Sequence, residues 1–143
     1  MTKRNFYDFG LIMANDSNLL FNNNSLHNSV YLGAFVLEAY VKILFINNGA
    51  ITPNGQRANS YGGHINDSKM VERLQSIYPN VFSSSILEPS DDKYPTTLLS
   101  SVYDINYRYE VDKWIDESTC QNIQDEVLEI YDALNDLRIT IGI

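Results

Sequence analysis

Apolar residues in this chain recur three and four positions apart, and no run of strand alternation reads as convincing. The pattern predicts five helices joined by loops. "NFYDFGLIMA" sets Phe6, Phe9, Ile12 and Met13 on one side of a short first helix, which Gly10 weakens. Residues 15–24 read as polar and turn-like, and Ser25 then caps a second helix. That segment, "SLHNSVYLGAFVLEAYVKILFI", is the most apolar in the chain. Val30, Ala34, Leu37, Val41 and Leu44 make one stripe, and Leu32, Phe35, Val36, Ile43 and Phe45 cover most of the remaining circumference. A helix apolar nearly all round is expected at the centre of a bundle. A membrane span is not expected: the uninterrupted run before Glu38 is too short, and Glu38 and Lys42 fall near the middle, where charge is costly in lipid. Asn47–Asn48–Gly49 supplies the stop.

The loop "AITPNGQRANSYGGH" is broken by Pro53, Gly55, Gly62 and Gly63. A third helix is predicted from Asn66 or Asp67, burying Met70, Val71, Leu74 and Ile77 and ended by Pro79. Residues 79–97 read as a surface excursion. A fourth helix starts near Thr97 and carries Leu98, Val102, Ile105 and Tyr109 inward. The fifth has the cleanest pattern: Ile123, Val127, Ile130, Leu134, Leu137 and Ile141 form one continuous seam. Asp125, Glu129, Asp132 and Asp136 occupy its opposite, solvated side. The expected architecture is therefore all-α, a five-helix up-and-down bundle in one domain spanning residues 1–143.

Composition narrows the function classes. A chain of 143 residues is one domain's worth, enough to bury roughly two-thirds of its unfolded surface. Its net charge of −8 repels nucleic acid over most of the surface, and the ten cations form no basic patch. A basic protein partner, or mimicry of nucleic-acid charge, fits such a balance. One cysteine, Cys120, excludes an intramolecular disulfide and a cysteine-cluster zinc site, and fits a reducing cytoplasm. Its place on an apolar helical stripe marks a small core residue more than a nucleophile. "MTKRNFYDFG" does not read as a signal peptide.

Candidate chemistry is sparse. His27 and His64 stand in different segments, without an HExxH or a carboxylate–histidine pair at helical spacing, so no metal site is expected. No calcium-loop rhythm, no phosphate-binding glycine loop and no serine triad is recognisable, and no cofactor is expected. Glu38 and Lys42 are the exception. At i and i+4, glutamate first, they form the favourable helical pair on a narrow polar seam of an apolar helix. A partly buried structural ion pair is the plainer reading; the alternative faces that seam to another subunit or a ligand.

"AFVLEAYVKILFINNG", then "GGHINDSKMVERL", then "YRYEVDKW" before an acidic amphipathic helix, resembles the HEPN superfamily over about residues 25–140. The resemblance implies a small all-α bundle that dimerises, of the kind found in prokaryotic toxin–antitoxin pairs, CRISPR-associated nucleases and nucleotidyltransferase modules. Active ribonucleases of that family carry arginine and, after four to six residues, histidine, brought together across a dimer. Neutral imidazole shuttles protons near pH 7, and arginine holds phosphate charge without titrating. Arg108 stands at the matching arginine position, but no histidine follows it in the chain. Arg57 and His64 have the literal spacing, yet Gly62 and Gly63 break any helix between them.

Arg108 is thus expected to be structural, paired with Asp104, Asp112 or another carboxylate. Glu110 or Asp112 beside an arginine is held ionised and makes a poor base. Tyr103, Tyr107 and Tyr109 crowd Arg108; stacking on a base or nucleotide is one use for Tyr103 and Tyr107, core packing the other. The binding candidates are Glu38, Lys42, Tyr103, Tyr107, Arg108 and Tyr109, with no confident catalytic residue. The reading is a cytoplasmic, non-catalytic HEPN-like protein acting as a homodimer or on a protein partner, with RNA or a nucleotide as further ligands. Two alternatives stand beside it. One is a ribonuclease toxin using Arg108 with an unorthodox or partner-supplied base; the other is an acidic inhibitor or nucleic-acid mimic.

Overall fold

The computed structural model describes residues 2–47 and 115–143, and all regular structure among them is helical. Helix α1 runs Lys3–Asn22, α2 Leu26–Asn47 and α3 Glu117–Thr140. The last of these is the fifth helix expected from the sequence. The third and fourth, with Tyr103, Tyr107, Arg108 and Tyr109, lie outside the described residues.

Helix α1 begins on a reciprocal cap. The Thr2 hydroxyl accepts from the Asn5 amide N–H at 3.2 Å, and Asn5 Oδ1 accepts from the Thr2 N–H at 2.8 Å. The helix does not end after Ala14: residues 15–22, expected to be a turn, continue it. Asn15, Asp16, Asn18 and Asn22 simply face solvent, while Ala14 and Ser17 are buried and Phe21 half-buried. The buried face also differs from the expected one. It runs through Phe6, Tyr7, Gly10, Ala14 and Ser17, and leaves Phe9 and Ile12 exposed. Small residues occupy this stripe because the neighbouring helices come close. A Cβ on Gly10 would stand 2.9 Å from a Leu134 methyl and 3.2 Å from the Ala39 Cβ.

The turn between α1 and α2 places Asn24 at φ 60°, the left-handed region that asparagine tolerates better than most residues. Ser25 stands at the expected cap position: its carbonyl accepts from the Ser29 N–H at 3.0 Å. Helix α2 is the core of the described structure, with Val30, Val36, Leu37, Val41 and Ile43 wholly buried. Its apolar circumference is explained by burial on several sides. Among the described residues no helix is long and apolar enough to cross a membrane.

Helix α3 starts at Asp116, whose carboxylate accepts from the Thr119 N–H at 2.8 Å and the Thr119 hydroxyl at 2.7 Å. These bonds hold the Asp116 carboxyl below its ordinary range. The expected seam is the buried one: Ile123, Val127, Ile130 and Leu134 are 0 to 1% exposed, and Leu137 and Ile141 pack at its end. Asp125, Glu129, Asp132 and Asp136 are all exposed.

Contacts fix the helix directions. Tyr7 donates to Asn135 Oδ1 at 2.8 Å and Ser17 meets Gln124, so α3 runs antiparallel to α1. Ser29 meets Cys120, and the Lys3 ammonium joins Asn47 Oδ1 to the Ile141 carbonyl, so α3 runs parallel to α2. Strict alternation of five helices would set the last one antiparallel to the second. The described helices depart from that: the chain leaves α2 at one end of the packed trio and enters α3 at the other.

Candidate functional site

Among the described residues, two groups of polar side chains interrupt the apolar core. The first is Glu38 and Lys42, which form the ion pair expected of their spacing. Their side chains are 10% and 21% exposed, so the pair sits within the packed surface rather than on it. Phe6 of α1 lies beneath: the Lys42 ammonium stands 5.6 Å from the ring centroid, within cation–π range. The amine thus has a carboxylate beside it and an aromatic face below. Such an arrangement anchors a cation and can position a charge at a helix surface.

The second group joins all three helices. Ser17 on α1 donates to the Ser29 carbonyl on α2 at 2.7 Å. The Gln124 amide on α3 donates to the hydroxyls of Ser17 at 2.9 Å and Ser29 at 3.2 Å. Ser29 in turn donates to the Leu26 carbonyl at 3.0 Å, and its Oγ lies 3.3 Å from Cys120 Sγ. Ser17, Ser29 and Cys120 are wholly buried and Gln124 is 2% exposed. One atom is left over: Gln124 Oε1 is buried without a hydrogen-bond partner among the described residues.

Within this layer the Cys120 thiol is pushed up by burial, against the Ser29 hydrogen bond, with Asp116 and Glu117 adding to the rise. A buried thiol held protonated is a poor nucleophile, in keeping with the core role expected of it. Tyr40, also buried, is raised by desolvation first and by the Asp136 charge second.

Of the sequence-derived candidates, Glu38 and Lys42 are brought together. Tyr103, Tyr107, Arg108, Tyr109, Arg57 and His64 lie outside the described residues. His27 is half-buried at the start of α2. Among the described residues no group of three or more histidine, cysteine or acidic side chains could hold a metal ion. The Ser17–Ser29–Gln124 layer escaped sequence reasoning. Its signal was present: Ser17 continues the Gly10–Ala14 spacing, and Gln124 flanks the Cys120–Ile123–Val127 stripe.

Comparison with protein-family models, with curated proteins and with solved structures returned no match.

Proposed function

We propose that this chain is a non-catalytic, HEPN-like helical domain that acts by binding, as a homodimer or on a protein partner, in a toxin–antitoxin or phage-defence setting. The observation that carries this reading is the Glu38–Lys42 pair. The two charges that interrupt the apolar second helix bond to each other, and the Lys42 ammonium lies over the Phe6 ring, which supports a role in holding shape. Arg108 without a following histidine supports it from the sequence. RNA or a nucleotide at Tyr103, Tyr107, Arg108 and Tyr109 belongs to the same reading as a ligand held without cleavage. The expected result is that purified protein leaves single-stranded RNA intact over hours. Cleavage that disappears on Arg108→Ala would overturn the proposal and restore the ribonuclease.

A second reading, an acidic inhibitor of a basic protein, is favoured by α3. Asp125, Glu129, Asp132 and Asp136 share one exposed face, with Leu128 and Ile139 beside them at 49% and 83% exposure. Reversing Asp125, Glu129 and Asp132 to lysine separates the two readings. Partner capture is expected to vanish if the acidic face is the binding surface, and unchanged capture removes this second reading.

A further inference from the structure

The seam of α3 repeats itself. A slide of seven residues puts Ile130 where Ile123 sits, Leu134 at Val127, Leu137 at Ile130 and Ile141 at Leu134. In that slide these four buried positions stay aliphatic, so apolar burial at them discriminates weakly between the two registers, whereas the opposite slide would bring Asp116 to the place of Ile123. The polar layer does discriminate. At Gln124 the slide would place Tyr131, and the opposite slide Glu117. Neither offers the two amide N–H groups that Gln124 divides between the hydroxyls of Ser17 and Ser29.

We propose that Gln124 sets the register of α3 on the α1–α2 hairpin, through the amide it shares between Ser17 and Ser29. Its buried Oε1, without a partner among the described residues, supports this role. Burying an acceptor with nothing to satisfy it opposes stability, so the residue's use lies in choosing one packing over another. The serines do not need the glutamine to satisfy their own donors: Ser17 bonds the Ser29 carbonyl and Ser29 the Leu26 carbonyl. Removing the amide therefore leaves no new buried donor behind. The consequence reaches the surface, because the register of α3 decides where Asp125, Leu128 and Glu129 stand relative to α1.

Spin labels at Asn15→Cys on α1 and Glu129→Cys on α3, both exposed positions, test this by pulsed electron resonance. Cys120 is wholly buried and stays unlabelled. The parent protein should give one narrow distance. Gln124→Met, and a triple variant Ser17→Ala, Ser29→Ala, Gln124→Met, should keep their helicity and show a second population. The helix slip behind it is about 10 Å, seven residues at 1.5 Å each. A single native distance in both variants would overturn the proposal. Loss of helicity in both would overturn it too, because the layer would then supply stability rather than register.

Discussion

Leu134→Ala is expected to lower the unfolding free energy by about 2–5 kcal/mol, the range for emptying a fully buried leucine site. Leu134 is wholly buried on the α3 seam and stands where a Cβ on Gly10 would meet it, beside Ala39. Three helices therefore converge on one side chain, and the cavity left by its loss cannot close by a local shift of any one of them. Gly10→Ala probes the same contact from the opposite side. Alanine gains about 1 kcal/mol of helix propensity over glycine. Its methyl, however, enters space already held at 2.9 and 3.2 Å, and overpacking of a tight core costs about 1–3 kcal/mol. The net expectation is mild destabilisation. In the double variant the alanine methyl at position 10 occupies part of the space vacated by Leu134, so the two effects should sum to less than their separate values. Urea denaturation followed by circular dichroism measures all four corners of this cycle. Additivity within about 0.5 kcal/mol would show that the two sites do not share the contact.

The parts of the fold legible in the sequence were those encoded by large apolar residues at regular spacing. The α3 seam and the apolar α2 declare themselves because isoleucine, leucine and valine recur with helical period and no breaker intervenes. Helix α1 was misread for a physical reason. Beyond Phe6 and Tyr7 its buried stripe is built from Gly10, Ala14 and Ser17, small residues that carry little hydrophobic signal, whereas the large apolar Phe9 and Ile12 are exposed. Close helix approach requires small residues, and nothing in one helix's periodicity announces that a neighbour will come so near. Direction was equally hidden. That α3 runs parallel to α2 follows from pairings such as Ser29 with Gln124 and Asn47 with Ile141 through the Lys3 ammonium, which link distant parts of the chain. The Glu38–Lys42 pair lay at the other extreme. Its spacing of four within one helix made the contact predictable, and only its burial against Phe6 needed the tertiary structure.

Lys42→Met is expected to destabilise the protein by about 3 kcal/mol, the low end for removing one member of a buried ion pair. The low end applies because the Glu38 side chain keeps 10% of its surface in water, so its desolvation is incomplete. Methionine retains an unbranched apolar stem over Phe6, and the loss therefore reports charge rather than packing. Two contributions go together. The carboxylate loses the ammonium beside it, and the Phe6 ring loses a cation–π contact of about 0.5–2 kcal/mol. Glu38→Gln combined with Lys42→Met should recover much of the loss, because a neutral amide costs far less to bury than an ionised carboxylate. This asymmetry distinguishes an ion pair that serves the fold from one that serves a ligand. In the first case the double variant regains stability and whatever partner binding the parent protein shows. In the second, stability returns and binding does not, which would move Glu38 and Lys42 from scaffold to interface. Thermal and urea unfolding, read beside partner capture for the parent and these two variants, decides between these outcomes. A Lys42→Met protein as stable as the parent would show that the pair is held too loosely to do either.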